Sequence, residues 1–205
     1  MKNTSDAYTV LAASAHVETK VEASRFIADA VPVNGREDAG EFLEVVRKKY
    51  FDATHHCYAY RLGTGGELFR AHDDGEPSGS AGKPILSMID RAGVTDVLVV
   101  VTRYFGGRKL GVGGLARAYG AAADAALGTA PRLVRYVMDS LEITFPHAHV
   151  SPVMRAIAVM GARIVETTYD DAVRMRLEVR RSRTASLRDM LVNQTGGKAI
   201  LHDSR

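Results

Sequence analysis

Residues 73–120 read DDGEPSGSAGKPILSMIDRAGVTDVLVVVTRYFGGRKLGVGGLARAYG, and the fold turns on this stretch. Acidic residues, a glycine-rich turn, an apolar strand and a basic helix opened by glycines follow one another without spacing. Glycine tolerates φ > 0 and lets a backbone approach a partner closely, and loops set on a rigid scaffold carry much of protein binding. A ligand site is expected here.

Within the stretch, 73–84 reads as a turn-rich connection and 85–91 as a short helix. Residues 94–102 form an apolar strand with both faces apolar, hence central in a sheet. GGRKLGVGG (106–114) reads as a loop, and 115–127 as an alanine-rich helix ending near Gly128 and Pro131. Upstream, TVLA, AHVETKVEA and RFIADAVPV suggest an antiparallel meander over 8–33. Phe42, Val45, Val46 and Tyr50 recur at helical spacing over 36–50, and 55–62 returns to strand. Residues 128–132 mark a domain boundary, dividing the chain into 1–131 and 132–205. Beyond it the pattern gives strand 137–145, helix 148–160, strands 162–169 and 172–180, helix 184–194 and strand 198–202. This βαββαβ order is ferredoxin-like, so the fold class is α+β with two domains.

The chain has 205 residues, 46% of them hydrophobic and 25% charged, an ordinary globular composition. No apolar run approaches the ~20 residues that span a bilayer. The start, MKNTSDAYTV, lacks a signal pattern, so a cytoplasmic protein without membrane contact is expected. A single cysteine, Cys57, excludes an intrachain disulfide and a multi-cysteine zinc site; it reads as a small buried hydrophobe rather than a reactive thiol. The net charge of +3 is unevenly spread, at −3 over 1–75, +3 over 76–120, −2 over 121–171 and +5 over 172–205. Positive charge in the glycine segment and the C-terminal tail favours an anionic partner, RNA or a phosphate-bearing small molecule.

Gly106, Gly107, Gly111, Gly113 and Gly114 surround the start of a helix that follows a buried strand, where free N–H groups and the helix dipole favour an anion. The spacing is neither a Walker A nor a GxGxxG fingerprint, and a tight turn with close helix packing is the alternative. Lys83, Arg103, Arg108, Lys109 and Arg117 flank these loops and could converge as a phosphate cradle, with arginine supplying forked donors, or form a solvated face. Asp73, Asp74 and Glu76 would rim that pocket. They could hold a hydrated Mg²⁺, cap the turn, or pair with Arg103 and Arg117; no resident metal or cofactor is expected. Ser78 and Tyr104 are possible contributors. His55 and His56 are strand neighbours and point to opposite faces, as partly buried structural histidines or as one catalytic base.

In the second domain Arg174, Arg176, Glu178 and Arg180 alternate with Val173, Met175, Leu177 and Val179, placing a basic face outside and an apolar face inside. That face suits a phosphate backbone or simple solvation, and it shows no exposed aromatic platform of the kind single-stranded RNA readers use. Two function classes follow: a binding protein acting on RNA or the ribosome, and, as the alternative, an enzyme acting on a phosphorylated small molecule or nucleotide in the 73–117 pocket.

The motifs HHCYAYRLG (55–63), DDGEPSGSAGKPIL (73–86) and VLVVVTRYFGGRKLGVGGLARAYGAA (97–122) resemble the signature of the YigZ/IMPACT family. The resemblance implies an N-terminal left-handed βαβ domain, similar to a ribosomal protein, elongation factor G domain IV and the GHMP kinases. It also implies a C-terminal ferredoxin-like domain similar to those of elongation factor G, and a role in regulating translation.

Overall fold

Val97–Val101 is buried on both faces, and this run forms the middle of a five-stranded sheet. A computed structural model of the chain describes residues 6–203; the first five residues, part of the stretch read for a signal, and Ser204 and Arg205 of the basic tail lie outside them. The protein is a mixed α+β chain dividing into two compact units, one spanning Tyr8–Arg135 and the other running from Tyr136 and joined by residues 6 and 7.

In the first unit the chain forms β1 (Ala7–Leu11), β2 (Ala15–Val21), β3 (Ser24–Pro32), α1 (Arg36–Lys49), β4 (His55–Leu62), β5 (Leu68–His72), α2 (Gly82–Ala92), β6 (Val97–Tyr104), α3 (Gly111–Thr129) and β7 (Arg132–Tyr136). The large sheet has the order β2-β3-β6-β4-β5 with every pair antiparallel. α2 and α3 cover one face around Phe26, Ile85, Ile89, Val99 and Tyr119. On the other face α1 packs Leu43 and Val46 against Tyr58, Tyr60 and Val100. Acidic Glu37 and Asp38 open α1 and Arg47, Lys48 and Lys49 close it, the arrangement the helix dipole favours.

Four expectations change. The meander over 8–33 reduces to the β2–β3 hairpin, because β1 leaves the sheet and pairs with β7 instead. The central strand begins at Val97, since Asp96 turns the chain at φ 52 and Val94 bridges only to Thr9. α3 starts at Gly111, so Gly113 and Gly114 lie in its first turn and not in a loop. β7 carries the first unit on to Arg135, past the 131/132 division expected from sequence.

The second unit consists of β8 (Met138–Phe145), α4 (Val150–Met160), β9 (Arg163–Tyr169), β10 (Val173–Arg180), α5 (Thr184–Gln194) and β11 (Ile200–Asp203). Its sheet has the order β11-β8-β10-β9, antiparallel throughout. Leu141, Ile143, Phe145, Val173, Met175, Leu177 and Val179 face α4 and α5, leaving the alternate residues on an uncovered face. Gly161 ends α4 in the left-handed conformation, where glycine carries no Cβ penalty.

Gly82 leaves no room for a side chain: a Cβ there would stand 2.5 Å from the His72 nitrogen and 2.9 Å from its carbonyl carbon. Gly82→Ala should therefore lower stability by about 1–3 kcal/mol through overpacking against backbone. Gly128→Ala, on a helical position with open space, should instead raise it by about 0.5–1 kcal/mol. Urea denaturation followed by circular dichroism measures both, and equal effects of the two substitutions would contradict the packing described.

Candidate functional site

The loop between β5 and α2 is held by its own carboxylates. Asp73 accepts hydrogen bonds from the amides of Gly79 (2.8 Å), Ala81 (3.0 Å) and Gly82 (2.8 Å), closing the entry to α2. Burial alone would raise its pKa, but these three amides outweigh it and hold the carboxyl below its ordinary value. Asp74, at φ 44, accepts from the His56 amide at 2.7 Å and from Arg47 at 3.4 Å. Glu76 is 8% exposed; its Oε1 accepts from Arg103 Nη1 at 2.6 Å and from the Tyr119 hydroxyl at 2.7 Å.

Side chains of β4 grip the same loop. His55 Nδ1–H donates to the Asp74 carbonyl at 2.8 Å, which leaves Nε2 3.8 Å from Glu76 Oε1. The Cys57 thiol donates to the Asp73 carbonyl at 2.9 Å. Burial pushes that thiol up to about 12 and likewise pushes the Tyr119 hydroxyl up, so both stay protonated near neutral pH. His56 faces the opposite way, its ring 3.2 Å from Thr102 Oγ1, and burial lowers its pKa. Phe26 meets Tyr119 edge to face at 5.2 Å.

This geometry corrects the expected cradle. Arg103 is 4% exposed and is consumed by Glu76, with Ser24 Oγ at 3.3 Å, because its register opposite His55 and Phe26 turns it under the loop. The acidic residues do not rim a pocket; each is spent on an amide or on a buried partner. Arg108 pairs with Glu22 at 2.8 Å on the surface. Tyr104 donates to Asp52 at 2.7 Å and lies under Arg25, while Ser78 is exposed. Among the described residues no group of three or more His, Cys, Asp or Glu side chains is arranged to hold a metal ion.

Lys83, Lys109 and Arg117 remain exposed, and among the described residues none of them forms an ion pair. Gly120 meets Pro84 and Met88, and Arg91 pairs with Asp124, so α2 and α3 run side by side in the same direction. Lys83, at the start of α2, and Arg117, one turn before Gly120, therefore occupy the same end of the helix pair. The first turn of α3 has no capping side chain and no acidic residue, and Gly113 lies against Arg117. Sequence reasoning overlooked the exposed Phe105 beside this region; its signal was an aromatic residue at the very end of an otherwise buried strand.

The expected C-terminal basic face is a mixed one. Arg176 pairs with Glu166 at 2.9 Å and stands opposite Glu142; Arg163 pairs with Glu178 at 2.7 Å. Arg180 stacks on Tyr136 at 3.4 Å, and Arg174 keeps an exposed guanidinium. Alternation within β10 placed Arg174, Arg176, Glu178 and Arg180 on the open face, but Glu166, Glu142 and Arg163 come from neighbouring strands that this alternation cannot reveal.

The histidine and aspartate shifts fix an acid dependence. A pKa lowered in the folded state means that the unfolded chain binds protons first, so stability is lost as pH falls. His56 contributes fully above its ordinary 6.5 and progressively less below it, whereas Asp73 does so only below its ordinary 3.8. Urea midpoints should fall between pH 7.5 and pH 5, and His56→Gln should flatten that interval; an unchanged slope in the variant would contradict the assignment.

Residues 22–127 match the family model described as the Impact N-terminal domain, and residues 143–198 match a domain of unknown function, DUF1949. The IMPACT family member YvyE of Bacillus subtilis is 33% identical over 196 residues, covering 96% of this chain and 90% of that protein. YigZ of Escherichia coli is 29% identical over 198 residues, covering 96% and 97%. A crystal structure titled only as that of a hypothetical protein aligns over 98% of both chains at 28% identity with a TM-score of 0.69. The matched domains include both the carboxylate-held loop and the glycine-opened helix, and this chain belongs to the IMPACT family.

Proposed function

We propose that the chain is a cytoplasmic binding protein that attaches to RNA, free or within the ribosome, and regulates translation. The observation that carries the proposal is the separation of charge in the glycine segment. Its carboxylates are folded inward, while Lys83, Lys109 and Arg117 stand exposed, without ion pairs among the described residues, at the opening of α2 and α3. Cations left uncompensated on a surface attract polyanions, and phosphate neutralisation supplies most non-specific RNA affinity. The groups with strongly raised pKa values, Cys57 and Tyr119, lie inside the core and not along a cleft, which favours binding over catalysis. The translation setting is supported by the family resemblance.

The experiment is fluorescence anisotropy of a labelled single-stranded RNA across salt concentrations. Log affinity should fall linearly with log salt, at about −0.7 per neutralised phosphate, with little sequence preference. Arg117→Ala should make that slope shallower by about 0.7 while leaving the urea midpoint unchanged. No binding at low salt, or binding indifferent to salt, would overturn the proposal.

A further inference from the structure

Two phenylalanines stand in solvent at one end of the large sheet: Phe105, 47% exposed, just past β6, and Phe51, 84% exposed, before β4. Neither belongs to a hydrophobic cluster of the first unit. Yet the backbone under Phe105 is firmly set. Its amide donates to Thr54 Oγ1 at 3.2 Å, the Thr54 amide donates to the Arg103 carbonyl at 2.9 Å, and the following Gly106 lies against the Ala23 backbone where no Cβ fits. The buried Arg103 guanidinium supports the Phe105 ring from 5.4 Å. Phe51 is tied to the same strand end through its neighbour Asp52, which accepts from the Tyr104 hydroxyl at 2.7 Å.

Rigid exposed rings beside uncompensated cations are the elements of a single-strand binding surface, where bases stack on aromatic faces and phosphates track positive charge. Lys109, which forms no ion pair among the described residues, follows Phe105 after Gly106, Gly107 and Arg108, while Arg108 is paired with Glu22 and Arg25, over Tyr104 at 4.3 Å, with Glu18. A purely apolar partner would leave Lys109 unmatched, and a duplex would keep its bases away from the rings.

We propose that Phe105 and Phe51 form a stacking platform for unpaired nucleobases of single-stranded RNA, with Lys109 and Arg117 meeting the adjoining phosphates. This rests on the RNA-binding reading above and adds to it the form of RNA and the groups that recognise it.

The chain contains no tryptophan, so Phe105→Trp in the full chain introduces a lone indole reporter. Its emission should be quenched, saturably, by a single-stranded oligonucleotide and not by a duplex of equal length or by inorganic polyphosphate. Phe105→Ala should weaken single-strand binding by about tenfold, the scale of one lost stacking contact, without changing the salt slope; Phe105→Tyr should bind as the wild type does. RNA that binds the wild type but neither quenches the Phe105→Trp protein nor loses affinity in Phe105→Ala would overturn the platform while leaving the electrostatic reading standing. Absence of wild-type binding at low salt would overturn both.

Discussion

The buried contact of Glu76 with Arg103 is the constraint on which the first unit depends. One carboxylate oxygen takes a guanidinium at 2.6 Å and a tyrosine hydroxyl at 2.7 Å, joining the loop before α2, the central strand and α3 at a single point. Two charges removed from water incur a desolvation cost that their attraction offsets only when geometry and additional hydrogen bonds are good. Here Tyr119 and Ser24 supply those bonds. The pair locates the loop, and the loop in turn places Asp73 to close the start of α2.

From that inward use of acid follows the character of the surface. Had Asp73, Asp74 and Glu76 faced outward they would have neutralised Lys83 and Arg117. Turned inward, they leave the helix openings positive although the whole chain carries only +3. Arg103, one of the five cations expected to meet a phosphate, instead anchors the scaffold that presents the others. Glycines are required where backbones meet, as at Gly82 against β5, so part of the glycine density serves packing and part serves the open first turn of α3.

Much of this was legible in the sequence where periodicity is local. The βαββαβ order of the second unit emerges from alternating apolar residues, as in Val173–Val179, and from short amphipathic helices. β1 was misplaced because its partner β7 lies more than a hundred residues away and no local pattern encodes that pairing. The start of α3 was hidden by glycines, which read as loop although tertiary packing holds them helical. At the site, the residue types were found but their directions were not: the strand register that turns Arg103 beneath the loop is a property of the sheet, and Phe105 fell between the strand expected over 94–102 and the loop over 106–114.

The claim that the carboxylates of the glycine segment are structural is tested most directly by a double-mutant cycle on Glu76 and Arg103, read by urea denaturation. Glu76→Gln and Arg103→Met should each destabilise the first unit by about 3–5 kcal/mol, because each leaves its partner charged, buried and unpaired. The double variant, with no buried charge remaining, should lose far less than the sum. Additive losses, or single variants indistinguishable from wild type, would show that the pair is not what holds the site together.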